Sequence, residues 1–533
     1  MSAASNKSAP MPGLWHPLRG RTFRNLLLAD LVSDIGTFMQ NVGAAWLMVS
    51  FNAGHLYIAL VQTASALPFF VFVLPAGALG DIVDRRKLIL VTQLWMTVIA
   101  ALLAVLTIGQ LVSPLLLLAL TFALSAGDAF ETPAWRAILP ELVANEDLAP
   151  AAALNGIEFN LARAVGPALA GLLIAAAGVG TTFAINAVSF LGVIVVIARW
   201  RRPTSPLKGT AERIGQATVA AIRYVWYSPR VRVVPMRSGT TMFFASGLTA
   251  LLPSVARSIN GSPLTYGALV GCFGAGAVIG AVLMRQLKQH ASSEQIVSGA
   301  VILFGLNTIA IGLFHNLPVL CLNVFLAGAG WIIFISTFSV LLLTNAPTWV
   351  RARVMAVAML AFFGGVAAGS AVWGAMATKM GLHTALLCSG AGAVLSTALG
   401  LFLHLPGDAI DLTPWVQWRA AAIEGGVLAA SDSGPVLVAV EYEVSPEHEE
   451  QFLKAVRDYE RIRRRDGAYQ WRIFQDLENP IRYVELFLVV SWGEHLRQHD
   501  RVTRADQEVI EQVRLLSRKP PTVRHFIDPK QKS

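Results

Sequence analysis

The sequence predicts an all-α membrane protein of twelve spans in two six-helix halves, followed by a soluble α+β domain of ferredoxin-like order. Three observations predict it. Of the 533 residues, 55% are hydrophobic and only 14% charged, well below the charge of a soluble domain, and the mean hydropathy is +0.57. The charge is unevenly spread, with 36 charged residues in 1–404 and 39 in the much shorter 405–533. The cations also alternate from loop to loop. A net charge of +9 and a pI near 9.7 could suggest a nucleic-acid partner, but the cations flank apolar stretches, which excludes that reading.

A span needs about 20 apolar residues to cross about 30 Å of hydrocarbon. Twelve stretches qualify, near 24–50, 56–80, 88–109, 114–135, 151–176, 180–198, 233–256, 264–285, 294–314, 317–345, 352–377 and 383–404. With both termini cytoplasmic, 20 Lys and Arg residues fall on the inner side, and only Arg257 and Lys379 on the outer side. That bias is the positive-inside rule, and it fixes the count. The chain then divides into a first half, 1–198, a cytoplasmic middle loop, 199–232, and a second half, 233–404. A linker, 405–433, and a cytoplasmic domain, 434–530, follow. Residues 211–227 of the middle loop place Ile214, Val219, Ile222, Val225 and Trp226 among Arg213 and Arg223, the pattern of a helix lying on the inner membrane surface. Pro140 and Pro347, and the glycine pairs Gly166/Gly171 and Gly369/Gly374, echo one another between the halves. Two such halves suggest a secondary transporter with its site between them. Cys272, Cys321 and Cys388 sit in apolar stretches as small hydrophobes, no metal site is expected, and the polar, basic N-terminus does not resemble a cleaved signal peptide.

Ionisable residues inside spans are costly and therefore candidates for function. Asp30 and Asp34 share a face of the first span, and Asp34, ten residues past Arg24, lies about 15 Å deep. Asp128 and Glu131 belong to the fourth span, and Glu158 and Arg163 to the fifth. A proton-coupled carrier needs a buried carboxylate that loads and releases a proton, for which Asp34 and Glu158 are preferred. The alternative is a structural ion pair of one acid with Arg163, and substrate contact is a third reading. Arg237, one turn into the seventh span, is expected to reach back to the interface. Gln40, Asn41, Asn155, Asn160, Asn323 and Trp331 are candidate linings of a substrate cavity, each also explicable as helix packing.

Between the second and third spans the chain reads Gly77-Ala-Leu-Gly-Asp81-Ile-Val-Asp84-Arg85-Arg86-Lys87. Glycines there permit close helix approach, and Asp81 could latch an inner gate. This segment resembles the signature loop of the major facilitator superfamily at Gly77, Leu79, Asp81, Arg85 and Arg86, and departs from it at Ile82 and Asp84. Arg163 to Gly171, with Gly166 and Pro167, resembles the fifth-helix motif of drug/proton antiporters. Together with Asn25–Ser50 and the run from Pro133 to Val143, the pattern is closest to the enterobactin-exporter-like, or transmembrane secretion effector, branch over roughly 15–410. The resemblance implies the major facilitator fold and a bacterial inner-membrane exporter of small molecules, driven by protons and working by alternating access. An uptake carrier or a sensor is the alternative.

In the tail, Val436–Val444 alternates as a half-buried strand, and 446–465 is helical with Phe452, Val456, Tyr459 and Ile462 on one stripe. Residues 468–475 and 481–490 pair as strands, Thr503 and Asp506 form a capping box, and Thr522–Ile527 closes the sheet. The cluster Arg461, Arg463, Arg464 and Arg465 is expected as a solvated helix end. From Glu485 to His499, with Trp492 and His495, the tail resembles the dimeric α+β barrels of antibiotic-biosynthesis monooxygenases. That resemblance implies a homodimerisation module, or alternatively an active oxygenase needing neither metal nor flavin. His495 and His499 could otherwise share a metal, though no third ligand is evident. No cofactor is expected.

Overall fold

The structure is a computed structural model that describes residues 13–201, 214–407, 410–413, 415 and 434–527. It contains two compact units. The first comprises Met1–Gly209, Pro235–Phe338 and Ala358–His404; the second comprises Thr210–Val234, Ser339–Val357 and Leu405–Ser533.

The first unit is helical. Its helices are α1 (Arg21–Ser50), α2 (His55–Ile82), α3 (Arg85–Ile108), α4 (Pro114–Leu142), α5 (Leu148–Ala177) and α6 (Val179–Arg199). The short α7 (Ile214–Tyr227) intervenes before α8 (Pro229–Ile259), α9 (Pro263–His290), α10 (Ser293–Leu313), α11 (Leu317–Asn345), α12 (Arg351–Met380) and α13 (Leu382–Ser396). The expected spans fall on these helices, except that the last, 383–404, runs past α13 through a 3-10 turn, Thr397–Leu401. Among the described residues, eleven helices are long and apolar enough to cross a membrane, the last counted through that turn; α1 is long enough but falls short in apolarity, carrying Arg21, Arg24, Asp30 and Asp34. The large apolar residues Val91, Val105, Val188 and Val282 are each about two-thirds exposed, a surface that hydrocarbon tolerates and water does not. The fourth helix runs through Pro133 and extends seven residues past its expected end, across Pro140.

Small residues set the packing. Gly166 of α5 meets Phe38 and Ile35 of α1, and Gly171 and Gly267 bring α5 and α9 into backbone contact. Gly374 of α12 meets Ala59 and Leu56 of α2. One glycine alone separates α5 from α6 and α12 from α13: Gly178, at φ +82, and Gly381, at φ +92, both in the left-handed region that glycine occupies freely. Among the described residues, the side-chain hydrogen bonds joining α1–α6 to α8–α13 gather at one end. They are Arg257 to Asn52 (2.8 Å), His55 with Ser254 (3.0 Å), Leu56 N–H to Thr378 (2.9 Å), Gln62 to Thr249 (2.9 Å) and Thr63 to the Ala367 carbonyl (3.0 Å).

The second unit holds the sheet, β1 (Val436–Glu443), β2 (Tyr469–Gln475), β3 (Arg482–Val489) and β4 (Thr522–Ile527), with α14 (Glu449–Asp466), α15 (Trp492–Arg501) and α16 (Arg504–Leu515). The strands run antiparallel in the order β2-β3-β1-β4, with Val440 opposite both Glu485 and Val523. Val438, Val440, Phe452, Val456 and Phe487 form its core, so the predicted strand and helix stripe face one another. The capping box of Thr503 and Asp506 is present at the start of α16. The α7 helix packs against α14 within this unit, burying Tyr224 and Val225 and leaving Val219, Ile222 and Trp226 exposed. Residues 211–213 of the expected amphipathic segment lie outside the described residues. The arginine cluster is not a solvated helix end. Arg463 bonds buried Glu485, Arg464 pairs with Glu460, and Arg465 bridges Asp466 and Asp506; Arg461 alone is mostly exposed. Helix α14 turns those three arginines toward carboxylates, which lone sequence spacing does not reveal.

Gly276 offers a test of helix packing, because a Cβ there would fall on the Phe325 carbonyl of α11. We expect Gly276→Val to cost about 1–3 kcal/mol by overpacking, whereas Gly299→Ala, which meets no atom within 4 Å, is neutral. Thermal unfolding of the purified protein in detergent measures both.

Candidate functional site

The acids of the first five helices come together. Asp30 lies within electrostatic reach of Asp34, Glu158 and Glu131 and receives a hydrogen bond from Trp135; Asp34 lies within reach of Asp128. Five carboxyls from α1, α4 and α5 therefore form one neighbourhood. Their satisfaction differs. Glu131 is buried and accepts from Thr92 (2.8 Å) and Gln93 (2.7 Å), both on α3. Asp128 is exposed and accepts from Thr132 (3.3 Å). Glu158 is equally buried, yet its Oε1 has no hydrogen-bond partner. Arg163, five residues along α5, makes no ion pair among the described residues, so the expected counter-ion role is not seen in this conformation. A cavity of about 20 Å³, enough for one water, lies between Asp30, Trp135 and Asn155.

The remaining candidates scatter. Gln40 is buried and accepts from Asn186 of α6, whereas Asn41 is exposed. Asn160 donates to Gly156 O (2.7 Å) and Asn323 to Val319 O (2.8 Å), each bonding the preceding turn of its own helix. Trp331 is buried among Phe273, Phe304 and Phe334, with its Nε1 unpartnered. In the signature loop, Asp84 caps α3 by accepting from the Arg86 N–H (2.9 Å). Arg85 pairs with Glu141 of α4 (2.8 Å), and Arg86 donates to the Ile197 and Ala198 carbonyls of α6 (3.0 and 2.6 Å). Among the described residues, no atom of a neighbouring helix lies within 4 Å of where a Gly77 side chain would begin. The Asp81 side chain lies outside the described residues.

Arg237 finds a partner that spacing does not indicate: it is 3% exposed, donates to both Glu294 oxygens at 2.6 Å, and lies 3.4 Å from the Leu403 carbonyl. Ser298 adds a bond to Glu294 (3.2 Å). The acid sits at the first turn of α10, where sequence alone reads it as a helix boundary; only tertiary packing reveals the pair.

In the second unit, Glu485 is fully buried and accepts from Tyr442 (2.9 Å), Trp471 (2.8 Å) and Arg463 (3.3 Å). His495 and His499 do share a helix face, and β4 supplies the partner that sequence spacing missed. The Nε2 atoms of His495 and His525 are 2.9 Å apart, and those of His495 and His499 are 3.4 Å apart. The rings form a chain with His495 in the middle, and no three donors among the described residues are placed to hold a metal. Burial, with His499 and His525 alongside, pushes the His495 imidazole down to about 3.

This helical architecture, with paired apolar helices, buried carboxyls and the loop before α3, defines a multi-pass membrane transporter rather than an enzyme. Residues 12–533 match the transmembrane secretion effector family, and the chain belongs to that family. It is 25% identical over 391 residues to the multidrug efflux pump Tap of Mycolicibacterium fortuitum, covering 71% of this chain and 94% of the relative. It is 27% identical over 401 residues to the enterobactin exporter EntS of Salmonella typhimurium, covering 72% and 91%. Among solved structures, a bacterial homologue of the human lysosomal transporter Spinster, inward-facing and occupied, aligns with TM-score 0.59 at 13% identity over 73% of this chain and 97% of that one. The nucleoside transporter NupG aligns with TM-score 0.58 at 11% identity over 72% and 98%. These likenesses establish the fold.

The imidazole chain predicts an acid sensitivity. The unfolded chain protonates this histidine below about pH 6.5, whereas folded His495 binds no proton until about pH 3. Its contribution to stability is thus fully present above pH 6.5 and is lost as pH falls toward 3, by at most about 1.4 kcal/mol per pH unit. We expect His495→Gln to flatten the pH dependence of unfolding across that window, as followed by denaturant titration.

Proposed function

We propose that the protein is a secondary active exporter of a small apolar or siderophore-like molecule, using proton antiport and alternating access across the bacterial inner membrane. The family supports export, since relatives carry the names of a multidrug efflux pump and an enterobactin exporter. In this reading α1–α6 and α8–α13 are two six-helix halves of twelve spans, with both termini cytoplasmic, and the tail is a ferredoxin-like domain. The single-glycine turns at Gly178 and Gly381, each joining the last two helices of its half, support the repeat.

With that orientation, the hydrogen bonds between the halves lie at the outer end, and Arg85 and Arg86 tie only helices of their own half. That is the signature of an inward-facing state, ready to take up cargo from the cytoplasm. The observation that carries proton coupling is the buried, unpartnered Oε1 of Glu158 in a neighbourhood of other carboxyls. An isolated buried carboxylate is costly, and protonation relieves that cost. Asp34, beside it, is the exchange partner. Arg163 stabilises the emptied site in the opposite facing.

The test is pH-gradient-driven accumulation of a dye and drug panel in inverted vesicles. We expect wild-type protein to accumulate at least one compound, and Glu158→Gln and Asp34→Asn each to lower the initial rate about tenfold or more, equivalent to about 1.4 kcal/mol. Undiminished gradient-driven flux in both variants would remove these carboxyls from the coupling. Flux indifferent to the gradient would refute antiport.

A further inference from the structure

Two histidines meet at one end of the first unit. His315 lies in the turn of residues 314–316 between α10 and α11, and His383 in the first turn of α13. Their Nε2 atoms are 3.3 Å apart while the ring centroids are 4.9 Å apart, so the nitrogen edges converge. Both residues are exposed. The backbone beneath them is fixed by close packing of α10 against α13. A Cβ on Gly305 or on Gly390 would fall on the other's carbonyl, and a Cβ on Gly312 would meet Leu386 at 3.2 Å and the His383 carbonyl at 3.5 Å.

A backbone bond decides which nitrogen carries the hydrogen. Nδ1 of His383 is bonded to the Gly312 carbonyl. A carbonyl only accepts, so Nδ1 donates, and in the neutral ring Nε2 is left as a lone pair facing His315. A backbone carbonyl on the far nitrogen is also how metal-binding histidines are commonly held. The spacing then selects the metal. Two nitrogens bound to a tetrahedral zinc ion stand about 3.3–3.4 Å apart, whereas neighbouring positions on a square-planar copper or nickel ion require about 2.8–2.9 Å. Gly312 belongs to the last turn of α10, so the negative end of that helix offsets the positive end of α13 beside a bound cation. Lys379, the nearest cation along the chain, is exposed on α12.

We propose that His315 and His383 form a zinc site, in which two imidazoles supply half of a tetrahedral shell and water supplies the other half. The bound ion staples the α10–α11 turn to the first turn of α13. Two open positions make it an exchangeable site rather than a closed structural one. Zinc binding stands independently of the export reading. Under that reading the site lies at the outer end, where zinc arrives without crossing the membrane.

The experiment uses the full chain in lipid nanodiscs, without a polyhistidine tag, and needs no gradient or transport. The probe is Zn2+ alone, measured by competition with a zinc-binding dye against empty nanodiscs. Saturable binding is expected, weakened about tenfold or more by His315→Gln and by His383→Gln alike. His495→Gln, in the second unit, should leave it unchanged. X-ray absorption at the zinc edge should show two imidazole nitrogens and two oxygens at about 2.0–2.2 Å. Zinc should also slow amide hydrogen exchange at 313–317 about threefold or more in wild-type protein, and in neither of the first two variants. Absence of saturable binding would overturn the site and leave the pair as one imidazole donating to the other. Binding that survives either His315→Gln or His383→Gln, or that is lost in His495→Gln, would also overturn it. Binding through both histidines with unchanged exchange would overturn the staple.

Discussion

Hydrocarbon supplies neither hydrogen bonds nor counter-charge, and the helical unit is organised around that deficiency. Every spanning segment closes its backbone bonds within itself, and helices approach through glycine because apolar surface gains nothing by leaving lipid. The same deficiency makes each buried charge informative. Arg237 and Glu294 meet it by pairing with each other, and Glu131 meets it with two donors from α3. Glu158 leaves one oxygen unmet. A group in that condition has reason to change protonation, and the local contrast among acids says more than the number of acids present.

The long apolar helices and the tail strands were legible because both depend on local pattern. About twenty apolar residues in a row, or strict alternation from Val436 to Val444, specify an element without knowledge of its neighbours. The capping box of Thr503 and Asp506 was legible for the same reason. Partners across the fold were not. His525 joins His495 from 30 residues away, Arg237 finds Glu294 across 57, and the arginines of α14 resolve into three separate pairings that spacing reads as one basic patch. Asn160 and Asn323 turn back onto their own helices, a bond open to any asparagine in a dry helix.

The second unit is assembled from three separated stretches of chain, the middle segment, the α11–α12 turn and the tail. Contacts such as Tyr224 with Trp349 and Arg465 over the Tyr224 ring bring those stretches together. The family match extends to residue 533, whereas the exporters it resembles align with under three-quarters of the chain.

The single-residue turns at Gly178 and Gly381 have a mechanical consequence. With one residue between them, the end of α5 stays beside the start of α6, and the end of α12 beside the start of α13, so neither pair can part at that end. The connections at residues 109–113 and 143–147 are longer and set no such limit.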